Sequence, residues 1–230
     1  MPLLEELTLP AQDGAPETPA VAALPAGATR GVVVIHELFG RQPEIDRVVE
    51  RFAARGYAAV APDLFHRGFV ACMWDVIKVM RTGDGVTARQ GRNARSWLSA
   101  RTGIDPAHVG LVGFCFGGGY ALAAGADWGA VSANYGHLPS ERAMRGIGPT
   151  IACYGGRDRT LQSAPAKLRA RFEAVGQTDF EIHVLDAGHS FLTDGKRRFA
   201  HRLQPMGFGD RPAEREEGWR RIFDYLDRHL

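Results

Sequence analysis

The segment Gly113-Phe114-Cys115-Phe116-Gly117 sets a thiol between two glycines, in a G-x-C-x-G pattern preceded by the apolar run Val109–Val112. That pattern suits a nucleophile held on a sharp turn from a buried strand into a helix. The flanking positions must be glycine because larger side chains would collide across the turn and because the nucleophile itself is strained. Cysteine stands where serine is more usual. Gly118 and Gly119 would let the following helix pack close to a sheet. A free thiol is mostly protonated at neutral pH, so it needs a base or a positive environment, and a helix N-terminus supplies part of the latter. The base candidate is His189, in Gly188-His189-Ser190-Phe191, a loop after the last expected strand.

In elbows of this kind the chain order runs nucleophile, acid, histidine, so the residue that orients the imidazole should follow the preceding strand. Asp158, in Gly155-Gly156-Arg157-Asp158, fills that slot; Asp186 competes, but three residues before His189 it reads better as a turn contact. Two backbone N–H groups are needed to hold a developing oxyanion. Phe116 offers one, directly after the nucleophile, and Leu38 is the choice for the other, in the loop His36-Glu37-Leu38-Phe39-Gly40. Glu37 is conspicuous there, since a carboxylate near a nucleophile is costly without a task or a partner. Cys72 and Cys153 read as structural thiols. The eight histidines show no metal-ligand spacing, and neither metal nor cofactor is expected.

These residues need a framework. Leu3–Leu9 and Val21–Leu24, separated by Asp13-Gly14, predict an antiparallel hairpin. Val32–Ile35, Ala58–Ala61, Val109–Val112, Val131–Ala133, Ile151–Tyr154 and Phe180–Leu185 predict further strands. Helices alternate with them: one carrying Ile45, Val48, Val49 and Phe52, then Phe69–Arg81, Thr87–Arg101, a small-residue helix through Ala124, Pro165–Val175 and Glu214–His229. Within Phe69–Arg81, Val70, Trp74, Ile77 and Met80 fall along one side, which is read as an apolar pocket wall or as core. Such alternation means a single α/β domain over residues 1–230, with a mostly parallel sheet of about eight strands, helices on both faces and a site at the strands' carboxyl ends.

Composition excludes several classes. A hydrophobic fraction of 45% with 23% charged residues is ordinary for a folded chain, and a net charge of +2 leaves no footprint for nucleic acid or anionic membrane. The densest basic spot, Lys196, Arg197, Arg198 and Arg202, is expected to be a solvated loop or a rim that attracts anions. Three cysteines without a CxxC motif point to a reducing compartment and a cytoplasmic protein. Glu5 and Glu6 stand where a signal peptide needs positive charge. The expected partner is a small-molecule ester or lactone, and the expected state a monomer or small homo-oligomer.

Five motifs in order, H-E-L-F-G, A-A-V-A-P-D-L-F, V-G-F-C-F-G-G-G, Y-G-G-R-D and A-G-H-S-F, span about residues 31 to 192. Together they resemble the dienelactone hydrolase family of α/β-hydrolases. The resemblance implies hydrolysis of an ester or lactone through an acyl-cysteine, with Glu37 holding the thiol until substrate displaces it and then helping to take its proton. It further implies that Tyr135-Gly136 lines the site, and Phe39 and Trp74 are expected there too. Dienelactone hydrolases proper carry an arginine four residues after the catalytic histidine to grip the substrate carboxylate. Here that position is Thr193, followed by Asp194, and threonine cannot form the two-pronged grip. Arg67, Arg81 and Lys196 are candidates to replace it. The expected substrate is therefore a general ester or lactone rather than dienelactone. The alternative is a slow or inactive ligand-binding or thiol-sensing protein on the same fold.

Overall fold

In a computed structural model, which describes residues 3–38, 40–193, 204–207 and 209–230, the chain builds one eight-stranded sheet. The hairpin comes first: β1 (Glu5–Leu9) pairs antiparallel with β2 (Thr18–Ala23). Its turn is the expected one. Asp13 and Gly14 both adopt positive φ (51° and 77°), and Gln12 and Ala15 exchange backbone hydrogen bonds across them. That is the twist a two-residue hairpin loop requires.

The parallel strands follow: β3 (Gly31–Ile35), β4 (Ala58–Pro62), β5 (Val109–Phe114), β6 (Val131–Asn134), β7 (Thr150–Gly155) and β8 (Phe180–Leu185). The spatial order is β1-β2-β4-β3-β5-β6-β7-β8, with β2 antiparallel to β4 and every later pairing parallel. Every residue of β3, β4, β5, β6 and β7 is buried, so both faces of the central sheet are covered, as its β-branched and small residues require.

The covering helices are α1 (Pro43–Ala54), α2 (Phe69–Thr82), α3 (Val86–Thr102), α4 (Phe116–Ala124), α5 (Glu141–Met144), α6 (Ala164–Ala174) and α7 (Pro212–His229). Pro43 opens α1 at a position whose N–H would have no helical partner. The same helix buries Ile45, Val48, Val49 and Phe52, each worth about 1.5–3 kcal/mol on leaving water. Trp219, Ile222, Phe223 and Leu226 of α7 are buried as well, with Phe52 edge-on to Trp219 and Phe223, so α1 and α7 share one aromatic cluster.

For α2 the structure corrects the expected face. Cys72, Val76 and Val79 are its buried residues, whereas Val70, Trp74 and Ile77 are exposed. Asp75, Lys78, Arg81 and Thr82 form one polar stripe and apolar residues cover the rest of the helix, so the apolar surface is wider than the face that packs. The short helix α5, capped by Ser140 Oγ on the Ala143 N–H, has too few residues to leave a periodic trace.

Candidate active site

Five neighbouring strands, β3, β5, β6, β7 and β8, end on the same edge of the sheet. They deliver in turn His36-Glu37, Cys115, Tyr135, Asp158 and His189. Chemistry-bearing residues from separate segments thus meet because parallel strands share one carboxyl end.

At the end of β5, Cys115 adopts φ 55° and ψ −112° and serves as the N-cap of α4. The turn is possible only between glycines: a Cβ on Gly113 would stand 1.8 Å from the Gly117 carbonyl oxygen, and one on Gly117 would stand 2.4 Å from that of Ile35. Besides Asp13 and Asp127, residue types that tolerate it, the described non-glycine residues with positive φ are Cys115, Tyr135 and Ser190, all at this edge. Backbone strain is concentrated where the thiol is presented. Cys115 is partly exposed, at the N-terminal, positive end of α4, with the Gly118 and Gly119 N–H groups donating to its backbone carbonyl.

His189 is buried, and its Nδ1 lies 2.7 Å from Asp158 Oδ2. The other carboxylate oxygen of Asp158 accepts from the Thr160 N–H at 2.9 Å and from its hydroxyl. Burial pushes the Asp158 carboxyl up, but the hydrogen bonds from His189 and Thr160 outweigh it and hold the group below the ordinary aspartate range. Burial likewise opposes the imidazolium of His189, yet the hydrogen bond to Asp158 and the influence of the Cys115 thiol override it and raise the group to about 9. The loops are locked together by backbone bonds from His189 N–H to the Met206 carbonyl and from Arg157 N–H to the Ala187 carbonyl. Asp186 does not reach the histidine. Exposed, it forms a two-pronged ion pair with Arg157 at 2.6 and 2.8 Å.

The side chain of Glu37 is also buried. Ser190 Oγ donates to its Oε1 at 2.8 Å, and Thr193 Oγ1, which also reaches the Ser190 carbonyl, donates to the same oxygen at 3.1 Å. Tyr135 Oη lies 3.4 Å from Thr193 Oγ1. The residue in the arginine position is therefore a carboxylate partner turned inward.

The family model described as the dienelactone hydrolase family matches residues 18–230. The chain belongs to the dienelactone hydrolase family. A protein of Methylorubrum extorquens provisionally named a carboxymethylenebutenolidase is 29% identical over 245 residues, covering 96% of this chain and 79% of the relative. The carboxymethylenebutenolidase of Rhodococcus opacus is 26% identical over 245 residues, covering 95% and 90%. A crystal structure of dienelactone hydrolase from Anabaena variabilis shares the fold, with a TM-score of 0.70 at 19% identity over 100% of this chain and 99% of the other. The architecture is thus the α/β-hydrolase fold of this family.

Other sequence-predicted residues are placed as follows. Leu38 and Phe116 sit on the β3 and β5 loops, and no described residue accepts a hydrogen bond from either backbone N–H. Tyr135 is fully buried, its ring 5.0 Å from that of His189 and 5.8 Å from Phe191, so it backs the imidazole. Trp74 stands 71% exposed on α2, away from the packed side of that helix. Phe39, Asp194, Lys196, Arg197, Arg198 and Arg202 lie outside the described residues. Cys72 and Cys153 are buried, and burial pushes the Cys153 thiol up to about 12, which leaves it inert. Among the described residues no group of three or more His, Cys, Asp or Glu side chains could hold a metal ion, and no helix is long and apolar enough to cross a membrane. Sequence reasoning missed Thr160, the hydroxyl partners of Glu37, and His36, a wholly buried imidazole beside Phe116.

Proposed function

We propose that the protein, acting as one α/β-hydrolase domain, hydrolyses small carboxylic esters or lactones through an acyl-cysteine on Cys115. The observation that carries this is the buried couple of Asp158 and His189, 2.7 Å between acid and imidazole, at the same carboxyl edge of the sheet as the strained Cys115 turn, whose thiol helps to raise the imidazole. In the first half-reaction the Cys115–His189 pair reacts with its proton on the imidazole and the charge on sulfur, and the thiolate attacks the carbonyl carbon. The carbonyl electron pair moves onto oxygen, which the Leu38 and Phe116 N–H groups receive. As the tetrahedral species collapses, the ester C–O bond breaks and the departing oxygen takes the proton from His189.

Acylation removes the thiol contact that helps raise His189, so the imidazole becomes easier to deprotonate when it must act as base toward water. Water gives its proton to His189, adds to the thioester carbonyl, and the thiol leaves reprotonated. A lactone returns a single hydroxy acid, because its leaving group stays attached.

Glu37 acts as a second proton acceptor beside the thiol, positioned by Ser190 and Thr193. With threonine in the arginine position, an uncharged ester or lactone suits the site better than a carboxylated dienelactone. Tyr135 forms the wall behind His189. Three unpaired cysteines support a reducing, cytoplasmic setting.

The test is turnover of the wild-type protein beside Cys115→Ala on aryl esters, simple lactones and dienelactones. The variant should lose activity by a factor on the order of 10⁴–10⁶ while staying folded. Equal rates in the two proteins would remove Cys115 from the mechanism.

A further inference from the structure

His36 follows β3 directly and is completely buried, its ring 5.1 Å from Phe65 and 5.9 Å from Phe116, nearly parallel to the latter. Its Nδ1 lies 2.6 Å from the Glu37 carbonyl oxygen, and its Nε2 lies 3.0 Å from the Leu64 backbone nitrogen. A carbonyl can only accept and an amide N–H can only donate, so the ring is the neutral tautomer protonated on Nδ1. Burial favours that state, lowering the imidazole to about 4 against the pull of Asp63.

The carbonyl that His36 grips belongs to the peptide joining Glu37 to Leu38. A trans peptide is planar, with its C=O and N–H directed oppositely, so holding the oxygen fixes where the Leu38 N–H points. Glu37 is pinned at its other end by Ser190 and Thr193. This segment also abuts the nucleophile turn, since a Cβ on Gly117 would stand 2.7 Å from the His36 carbonyl oxygen.

We infer that His36 is a positioning residue for the oxyanion hole: its Nδ1–H holds the Glu37–Leu38 peptide so that the Leu38 N–H meets the developing oxyanion, while its ring supports Phe116, which carries the second donor. The inference rests on the assignment of Cys115 as nucleophile and Leu38 as donor. It separates two jobs in one ring. The Nδ1 bond serves the reaction, and the Nε2 bond ties the β3 loop to the β4 loop.

Two variants divide those jobs. In His36→Asn the amide nitrogen takes the place of Nδ1 and can still donate to the Glu37 carbonyl. In His36→Gln the side-chain oxygen takes the place of Nε2 and can still accept from Leu64. A merely structural histidine would make the two variants equally poor or leave Gln the better one. Each is assayed for aryl-ester hydrolysis and for Cys115 alkylation by iodoacetamide, a displacement at a saturated carbon that forms no oxyanion. His36→Gln should lose a factor on the order of 10²–10³ in kcat with little change in KM, while its alkylation rate stays within about threefold of wild type. His36→Asn should recover at least about tenfold of that loss.

Wild-type hydrolysis by His36→Gln, or parallel loss of hydrolysis and alkylation in both variants, would overturn the positioning role. Cys115→Ala in the same assay keeps the two failures apart. If it hydrolyses the ester like wild type, the nucleophile assignment falls and this inference with it; if it is inactive while His36→Gln is normal, only the role of His36 falls.

Discussion

Arg157 and Asp158 are adjacent in the chain, and each pairs with a residue of the loop after β8, yet the two couples have opposite fates. Arg157 and Asp186 meet in solvent, where a well-formed two-pronged bond contributes little beyond what water already offers. Asp158 and His189 meet almost wholly shielded, with side chains 0% and 2% exposed. There each hydrogen bond must offset desolvation, so it changes which proton sits where. The same loop pair thus yields a surface tether and an acid–base couple, and burial decides between them.

The comparison breaks most visibly by substitution of the two carboxylates. Asp158→Asn should lower kcat by a factor on the order of 10³–10⁴, because the amide can present its N–H to Nδ1 and select the wrong tautomer. Asp186→Asn, which loosens only the exposed pair, should change kcat by less than about threefold. Steady-state kinetics on one aryl ester reads both, and a larger loss in Asp186→Asn would transfer the orienting role.

A smaller effect sharpens the same contrast. The His189 imidazole, followed by its NMR titration, should report a pKa of about 9 in the wild-type protein and a lower value in Cys115→Ala, where the thiol contribution is gone. An unchanged value would mean that the thiol does not touch the imidazole. The sign for stability follows from the raised folded-state value: the contribution of protonated His189 is fully present below pH 6.5 and is lost as pH rises through about 9. Asp158, held low, contributes above the ordinary aspartate range, and that contribution is lost as pH falls through its depressed value.

The elbow at Cys115 was legible because its constraints are local: a β-branched strand, two glycines that sterics demand, and a small-residue helix. The parallel sheet was legible for a related reason, since strands buried on both faces read as unbroken apolar runs. Asp158 could be placed by its slot after β7, although only the fold shows that Asp186 turns to Arg157 instead.

What stayed hidden depends on distant partners or on a choice between faces. Glu37 finds Ser190 and Thr193 more than 150 positions away, and no periodicity announces such a meeting. His36 closes a β-branched run without any pattern to suggest that both of its ring nitrogens would be engaged. Trp74 lies on a helix with apolar residues on most sides, so its 71% exposure could be learned only from how α2 packs.

The central claim is that a covalent acyl group passes through the sulfur of Cys115. Mixing the protein with an excess of an activated aryl ester, quenching with acid during turnover and mapping the peptides by mass spectrometry tests it most directly. One acyl group on the peptide carrying Cys115, absent from the Cys115→Ala protein, is the predicted result. Turnover with no acyl adduct at any quench time, or an adduct on a different residue, would contradict the acyl-cysteine mechanism.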